Sequence, residues 1–286
     1  MKLLVFGKTG QVATELARLA GPDLMVTCIA REIVDLADPG RAADAIAWAD
    51  ADAVINAAAY TAVDRAEEEE PLARAINAEA PGAMAQAAAA RGLPFLHIST
   101  DYVFDGAKDG AWVETDPVAP LGAYGRTKLA GEEAVAAAGG PHAILRTAWV
   151  FSATGSNFVK TMLRVGRDRD RLTVVADQHG GPTAAADIAA ALVAMARALV
   201  AGQGASGIFH FCGAPATTWH GFASAIFART GWQSTPEIAP ITTADWPTPA
   251  TRPANSMLDC TRIAEIFGID QPDWRTSLDS VLKELS

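Results

Sequence analysis

The chain has 286 residues, 50% of them hydrophobic and 20% charged, which is the composition of a globular protein of enzyme size and excludes a disordered or fibrous chain. Its formal net charge of −10 and the lack of any basic run argue against nucleic acid as a partner, because phosphate-binding surfaces need clustered Lys and Arg. The three cysteines are far apart and form no CxxC pair, which argues against structural zinc and a disulfide framework.

Short apolar runs and longer alanine-rich segments alternate through the first half of the chain. Apolar runs without polar alternation are typical of strands buried on both faces, and they predict strands at residues 3–7, 24–30, 52–59, 94–100 and 142–151. The alanine-rich segments predict helices at residues 11–20, 71–92 and 123–139, and the acidic residues 67–70 fit a solvated helix start. Repeated strand and helix predict an α/β fold, a Rossmann-type doubly wound parallel sheet with right-handed crossovers.

The alternation of apolar and alanine-rich segments is less regular after about residue 152. Strands are predicted at residues 172–176 and 207–213, a helix at 185–201, a proline-rich loop at 233–256 and two short helices within 259–285. We therefore expect a sheet domain at residues 1–151 and a smaller C-terminal lobe at residues 152–286, with excursions that return to the sheet domain.

The first predicted strand is followed by GKTGQVA, residues 7–13, which opens the first predicted helix. Gly7 permits a tight turn, Gly10 lets the backbone approach a pyrophosphate, and the helix N-terminus supplies N–H groups and positive potential. Ala13 takes the third small position, where helix and strand pack closely. An ordinary glycine turn would also fit, but the place at the first strand–helix junction favours a dinucleotide site. Residues 1–151 are therefore expected to be an NAD(P)-binding Rossmann domain.

The residues after the second predicted strand bear on the choice between NADH and NADPH. A carboxylate here holds the ribose hydroxyls of NAD, whereas an arginine accepts the 2′-phosphate of NADP. Arg31 and Glu32 give both signals, and Asp35 with Leu36 fits contacts to the adenine end. Both cofactors are expected to bind, with NADPH modestly preferred, because a guanidinium pairs with a phosphate through two hydrogen bonds.

Three polar residues after the fourth predicted strand are candidates for catalysis. Thr100 ends that strand, where ligands of open α/β sheets bind, and Tyr124 and Lys128 stand about one helical turn apart in the next helix. A lysine ammonium near a phenol lowers its pKa, so Tyr124 is a candidate proton donor and Lys128 the cation that tunes it. A solvated polar helix face is the alternative, because this spacing alone is common.

The ordered set of nucleotide turn, strand-end threonine and YxxxK resembles the extended short-chain dehydrogenase/reductase superfamily. Within it, seven segments spread in order over nearly the whole chain are similar to the dTDP-4-dehydrorhamnose reductase family: FGKTGQV, INAAAYTAVDRAE, STDYVFDG, YGRTKLAGE, LRTAWVF, DQHGGPT and RPANS. Extended dehydratases carry an acidic pair directly after the threonine, whereas here Asp101 is followed by Tyr102. The resemblance implies NADPH- or NADH-dependent reduction of the 4-keto group of dTDP-4-dehydro-L-rhamnose to dTDP-L-rhamnose, for nucleotide-sugar, cell-surface polysaccharide and lipopolysaccharide O-antigen biosynthesis.

The resemblance also implies a role for individual residues. Cofactor contacts fall on the pyrophosphate turn, the adenine end, the third strand and the catalytic pair, and comprise Gly7, Gly10, Gln11, Val12, Arg31, Asp35, Leu36, Ala57, Ala58, Ala59, Tyr124 and Lys128. Thr100 and Asp101 would contact the sugar, and Trp149 would pack on the substrate. Tyr124 would donate the proton to O4, with a second hydrogen bond from Thr100. Arg252, in a loop of the substrate-binding lobe, is a candidate for the dTDP diphosphate, with a plain surface arginine as the alternative.

The remaining expectations concern partners and location. Some members of the family bind Mg²⁺ at a subunit contact, so the resemblance implies Mg²⁺ and a homodimer here, but no metal ligand can be assigned in this sequence. No apolar run reaches about 18 residues, so no membrane span is expected. The N-terminus, MKLLVFGKTG, lacks the features of a signal peptide, and a cytoplasmic location is expected.

Two other functions stay open at this point. Another nucleotide-sugar epimerase or reductase would keep the cofactor turn and YxxxK but alter the smaller lobe. A binding protein such as the regulatory subunit of methionine adenosyltransferase, which resembles this family, would bind without catalysing. Retention of both Tyr124 and Lys128 favours an enzyme.

Overall fold

Strands and helices alternate through the first half of the computed structural model, which describes residues 1–286. The strands are β1 (Lys2–Phe6), β2 (Met25–Ile29), β3 (Ala53–Asn56), β4 (Phe95–Thr100) and β5 (His142–Thr147). The helices are α1 (Gln11–Arg18), α2 (Pro39–Ala47), α3 (Glu70–Arg74), α4 (Ala80–Ala90) and α5 (Ala123–Ala137). A π-helical segment, Ala75–Glu79, joins α3 to α4, and 3₁₀ turns lie at Arg65–Glu67 and Asp101–Val103.

The second half has shorter strands and five further helices. The strands are β6 (Val150–Phe151), β7 (Arg171–Val175), β8 (His179–Gly180), β9 (Thr183–Ala184), β10 (Gly207–His210), β11 (Thr217–Thr218), β12 (Glu237–Ile241) and β13 (Asn255–Ser256). The helices are α6 (Phe158–Gly166), α7 (Ala185–Val200), α8 (Trp219–Arg229), α9 (Thr261–Phe267) and α10 (Trp274–Leu285), with a 3₁₀ turn at Thr243–Asp245. No helix combines the length and the apolar character that crossing a membrane requires.

The central sheet has six strands in the order β10-β5-β4-β3-β1-β2, and all its neighbours pair in parallel. The chain leaves β1 for β2 on one side and returns to β3 on the other. Between β1 and β3 the strand order therefore reverses, and a crevice opens at the carboxyl ends of the strands, where ligands bind in such sheets. The doubly wound α/β fold is confirmed. Strand β10, from the second half of the chain, joins the sheet beside β5.

Side chains of the central strands alternate between two apolar layers. Leu3 and Val5 pack in a cluster of 28 buried residues that includes α1 and α7. Leu4 and Phe6 pack in a cluster of 15 buried residues with α2 and α4 on the other face. Burial of a side chain of this size contributes roughly 1.5–3 kcal/mol, so both helical layers are held to the sheet mainly by apolar contact. A third cluster of nine buried residues forms the core of the smaller lobe.

Two predicted elements differ from the structure, and three helices, α2, α6 and α8, were not predicted. The predicted strand 142–151 is divided, because β5 ends at Thr147 and the backbone turns at Trp149, whose φ is +49°. The predicted loop 233–256 is wrong in part: it holds β12 and β13, and β12 pairs in parallel with β7 despite Pro240. Helix α2 begins with the Asp38 side chain as its N-cap and proline at its first position, a start signal that the sequence does carry.

Candidate active site

The turn between β1 and α1 forms the floor of a nucleotide-sized cleft. Gly7 has a φ of +112°, and a Cβ there would lie 3.4 Å from the Ala13 Cβ and 3.5 Å from the Ala57 carbonyl. A Cβ at Gly10 would meet nothing within 4 Å, so the space beside it is open. Helix α1 begins at Gln11, and no side chain caps its first N–H groups. These N–H groups and the helix dipole fit the charge of a pyrophosphate.

A cleft of about 860 Å³ follows the carboxyl ends of β1, β3, β4 and β5. The structure brings together in its lining all but one of the residues that the sequence singled out. These are Gly7, Gly10, Gln11, Val12, Arg31, Asp35, Leu36, Ala57, Ala58, Ala59, Thr100, Asp101, Tyr124, Lys128 and Trp149. Arg252 does not line the cleft. The small side chains of Ala57–Ala59, directly after β3, leave width for a ligand between the glycine turn and β4.

The segment after β2 places a cation at the rim of the cleft. Arg31 reaches Asp35 with its Nε and Nη2 at 3.3 and 3.2 Å, and its side chain is 74% exposed. Several hydrogen bonds and charges lower the pKa of Asp35, and the hydrogen bond from the backbone N–H of Ala37 has the largest effect. The carboxylate is therefore held by the protein itself, whereas the guanidinium keeps N–H groups that face solvent and can reach a phosphate.

Thr100 and Asp101 form a hydrogen-bonded pair at the end of β4. The Thr100 hydroxyl donates to Asp101 Oδ1 at 2.9 Å and accepts from the backbone N–H of Tyr102 at 3.2 Å. Asp101 is 3% exposed, and its Oδ2 has no partner in the protein. Burial raises the pKa of Asp101 to about 6, and the nearby hydroxyl groups of Ser256 and Thr100 oppose this increase. A buried carboxyl oxygen without a partner fits a hydroxyl group of a ligand.

Helix α5 carries Tyr124 and Lys128 into the cleft because two glycines let it approach the backbone closely. A Cβ at Gly125 would lie 2.2 Å from the Tyr102 carbonyl oxygen, and one at Gly131 would lie 2.0 Å from that of Asn77. The helix starts at Ala123, whose N–H donates to Glu67 Oε1 at 2.8 Å. The glycines in YGRTKLAGE are therefore packing requirements of this helix.

The environments of Tyr124 and Lys128 differ from the prediction in one respect. Burial raises the pKa of Tyr124 to about 12, the charge of Asp101 acts in the same direction, and only the Thr100 hydroxyl opposes them. The prediction that Lys128 lowers this pKa is wrong for this structure. Lys128 Nζ lies 2.6 Å from the Ile98 carbonyl oxygen and 3.0 Å from His97 Nε2, and burial lowers the pKa of Lys128 to about 8. At neutral pH the phenol therefore keeps its proton, as a proton donor must.

Trp149 lines the cleft and is held in an uncommon backbone conformation. Its φ of +49° is the only positive value outside glycine, and its ring stacks on Trp219 with centroids 3.6 Å apart. Gly180 packs closely against the ring, because a Cβ there would lie 2.6 Å from it. Trp219 is in turn held by a hydrogen bond from its Nε1 to Gln178 Oε1 at 3.2 Å. Strain of this kind persists only where the surroundings fix it.

The Gln11 side chain ties the glycine turn to the smaller lobe. Its Oε1 accepts hydrogen bonds from Ser152 Oγ and Asn157 Nδ2, both at 2.9 Å. The side chain is therefore occupied by the protein, and the predicted contact with a pyrophosphate falls to the backbone N–H of Gln11 at the helix start.

Arg252 lies in the loop before β13 and is paired within the protein. Its Nη1 and Nη2 each donate to an oxygen of Asp64 at 2.9 Å, and its side chain is 18% exposed. The structure therefore places Arg252 beside the cleft residues of the segment after β3 without opening its guanidinium to the cleft.

Sequence reasoning missed several residues that build the site. Trp219 lines the cleft, and Asn56 and His97 lie behind it. His97 is hydrogen-bonded to both Asn56 and Lys128. A histidine inside an apolar strand, three residues before the strand-end Thr100, is the signal that could have found His97. No group of three or more His, Cys, Asp or Glu side chains is arranged to hold a metal ion, so no ligand for Mg²⁺ can be named.

Comparisons with known proteins agree with this geometry. The family model described as the RmlD substrate binding domain matches residues 1–286. A curated protein of Burkholderia thailandensis named dTDP-4-dehydrorhamnose reductase is 46% identical, covering 100% of this chain and 99% of the relative. The crystal structure of a dTDP-4-dehydrorhamnose reductase from Clostridium acetobutylicum superposes with a TM-score of 0.92 at 36% identity, covering 100% and 99% of the two chains. That of Bacillus anthracis, in complex with NADP, has a TM-score of 0.92 at 30% identity over 99% of both chains.

Proposed function

This chain belongs to the family of the RmlD substrate binding domain, and from that premise we propose how its residues carry out the reaction of a dTDP-4-dehydrorhamnose reductase. The reaction is the NADPH- or NADH-dependent reduction of the 4-keto group of dTDP-4-dehydro-L-rhamnose, which gives dTDP-L-rhamnose. The observation that carries the proposal is a single cleft in which the glycine turn, Thr100, Tyr124 and Lys128 meet.

The residues of the glycine turn fit a dinucleotide. Gly10 leaves open space beside the uncapped start of α1, and the alanines after β3 leave width along the sheet edge. We assign the pyrophosphate to the N–H groups of Gln11 and Val12 and the adenine end to Asp35 and Leu36. When bound, the reduced nicotinamide supplies the hydride for C4 of the sugar. Arg31, exposed at the rim, supports a modest preference for NADPH.

Tyr124 is assigned as the proton donor for the sugar oxygen. Negative charge develops on O4 as the carbonyl is reduced, and a partly buried phenol that keeps its proton at neutral pH can give it to that oxygen. The Thr100 hydroxyl supplies a second hydrogen bond to O4 after it turns away from Asp101 Oδ1. Lys128 is assigned to the cofactor ribose next to the phenol.

The substrate contacts are assigned to both sides of the cleft. Asp101 Oδ2, buried and without a partner in the protein, is assigned to a hydroxyl of the sugar. Trp149, stacked on Trp219, is assigned to pack on the substrate. Arg252 stays a proposal for the dTDP diphosphate, which would require its guanidinium to leave Asp64.

Incubation of the purified chain with NADPH and freshly generated dTDP-4-dehydro-L-rhamnose tests the reaction. We expect loss of NADPH absorbance in step with formation of dTDP-L-rhamnose, identified by chromatography and mass spectrometry. Tyr124→Phe is the matched control, because it removes one hydroxyl and keeps the ring. NADPH binding without turnover would contradict the proposal and favour the non-catalytic binding protein. Turnover of a different nucleotide sugar alone would favour another reductase or epimerase.

The proposal also covers the domain division, the oligomeric state and the location of the protein. The division into an NAD(P)-binding domain at residues 1–151 and a mainly substrate-binding lobe at residues 152–286 is supported by the different sheets of the two parts. A homodimer is proposed from the family resemblance, and light scattering of the purified chain tests it. A cytoplasmic location is proposed as well, and cell fractionation tests it.

A further inference from the structure

Behind the catalytic pair, Lys128 continues into a buried chain of hydrogen bonds that runs away from the cleft. Lys128 Nζ lies 3.0 Å from His97 Nε2 on β4, and His97 Nδ1 lies 3.2 Å from Asn56 Nδ2 on β3. All three residues are at most 1% exposed. Nζ also donates to the Ile98 carbonyl oxygen at 2.6 Å. The chain therefore links the lysine of the site to two strands of the central sheet without water.

The backbone fixes which atom of the Asn56 amide faces His97. Asn56 Oδ1 accepts the N–H of Ala58 at 3.1 Å, so Nδ2 is the atom turned to the imidazole. An amide nitrogen only donates, and His97 Nδ1 must therefore accept. Burial, aided by the charge of Lys128, holds the pKa of His97 well below its usual value, so the ring is neutral. A neutral ring that accepts at Nδ1 carries its one proton on Nε2, directed at Lys128.

That donor fits only one form of the lysine. An ammonium group has three N–H donors and no lone pair, whereas a neutral amine can accept from His97 and donate to Ile98. An ammonium in the same place would need the imidazole proton on Nδ1, where it would face the Asn56 Nδ2 donor. We propose that His97, oriented by Asn56, is a positioning residue that favours the neutral amine form of Lys128 and so sets the pH at which Lys128 becomes a cation.

The proposal rests on the assignment of Lys128 to the catalytic pair, and other charges near it act on the same proton. Glu132, one turn further along α5, raises the pKa of Lys128, but its carboxylate is paired with Arg146 at 2.6 Å. Asp101 is another buried titratable group beside these elements, and Tyr102 and Tyr124 are partly buried. His210 is buried on β10, which pairs with β5. The remaining charged groups on those elements lie nearer the surface, most in pairs of their own such as Arg65–Glu69, Arg126–Glu70 and Arg74–Glu79. Among the groups that touch Nζ, only His97 can change its hydrogen-bonding pattern.

The tautomer of His97 can be observed directly in the wild-type chain. In a protein labelled with ¹⁵N histidine, long-range proton–nitrogen correlation spectra distinguish a ring protonated on Nε2 from one protonated on Nδ1. The signals of His97 are identified by their loss in His97→Gln. We expect the Nε2–H form above the Lys128 pKa of about 8, where the amine is neutral. An Nδ1–H ring, or an imidazolium, would overturn the proposal.

Asn56→Asp replaces the amide donor that faces His97 with a carboxylate acceptor and hardly changes the size of the side chain. A carboxylate at this position accepts from both Ala58 N–H and His97 Nδ1–H, which frees Nε2 to accept from an ammonium. We expect His97 to change to the Nδ1–H form and the pH dependence of kcat/KM that reports Lys128 to move up by about one unit or more. Asn77→Asp is the matched control, because it adds a buried carboxylate on the π-helical segment without touching His97. An unchanged tautomer in Asn56→Asp, or an equal change in the control, would overturn the proposal.

The two kinds of measurement separate this proposal from the proposed function. The tautomer is read without turnover, so an Nε2–H ring in a chain that reduces no sugar supports the hydrogen-bond arrangement and refutes the function. A reductase in which His97 is Nδ1–H refutes the arrangement and leaves the function standing.

Discussion

Lys128→Met measures how much the burial of the Lys128 ammonium group lowers the free energy of unfolding. Lys128 is 1% exposed, and burial lowers its pKa from 10.5 to about 8. The folded protein therefore binds this proton less tightly than the unfolded chain does. Each unit of pKa difference corresponds to about 1.4 kcal/mol, so the ammonium form opposes folding by about 3 kcal/mol at neutral pH.

The sign of this effect fixes its pH dependence. Between about pH 8 and pH 10.5 the unfolded chain binds more protons at this position than the folded protein, so wild-type stability rises with pH. The methionine variant lacks the proton. The free energy of unfolding of the wild type minus that of Lys128→Met should therefore increase by about 2 to 3 kcal/mol between pH 7 and pH 10.

Urea denaturation of both proteins at several pH values in this range is the assay, because the difference cancels every titration that the two share. A single pH is less informative, since methionine leaves His97 Nε2 and the Ile98 carbonyl without a partner, each at a cost of about 1–3 kcal/mol. Lys283→Met, at an exposed position of α10, controls for the loss of one lysine. A difference that stays constant from pH 7 to pH 10 would refute the reasoning.

Three other substitutions test separate parts of the site. Tyr124→Phe should lower kcat by about 10² to 10⁴ in single-turnover assays. The packing on Tyr102, the melting temperature and NADPH binding should stay close to wild type. Retention of more than about a tenth of kcat would mean that the proton comes from elsewhere. Arg31→Ala should raise KM for NADPH and leave that for NADH unchanged in steady-state assays, and equal effects on both would remove Arg31 from cofactor choice. Glu132→Gln should destabilise the fold by about 3–5 kcal/mol in urea denaturation, because it leaves the 2% exposed Arg146 without its carboxylate; a loss below about 1 kcal/mol would show that water or another group compensates the charge.

The central sheet was predictable because its signals are local. Uninterrupted apolar runs mark strands buried on both faces, and the alternation with helices fixes parallel pairing. The smaller lobe was less predictable, because its two- and five-residue strands pair with partners far away in sequence. β12 pairs with β7 across about sixty residues. Five prolines between residues 233 and 256 led to the prediction of a loop where β12 lies. Only the pairing partner stabilises such a strand, and the sequence around it does not reveal that partner.

Residues of the site were predictable where the backbone or the place in a strand requires one type of residue. Gly7 needs its left-handed backbone, and Thr100 stands at a strand end, so each carries a signal in the sequence. The direction of the Tyr124 pKa was not predictable, because spacing along a helix says nothing of how deeply the phenol is buried. The partners of Lys128 were not predictable either, since Asn56 and His97 lie on two different strands and meet only in the folded sheet.

Burial moves the four titratable groups around the reacting position in one direction, towards their neutral forms. It raises the pKa of Asp101 and Tyr124 and lowers that of Lys128 and His97. Surroundings of low polarity have few competing dipoles, so hydrogen bonds aimed at a developing oxyanion are stronger there than in solution. A neutral phenol can give a proton to that oxyanion, whereas a phenolate could only accept one. The burial that opposes folding at Lys128 is therefore the same property that suits Tyr124 to the reductive direction of the reaction.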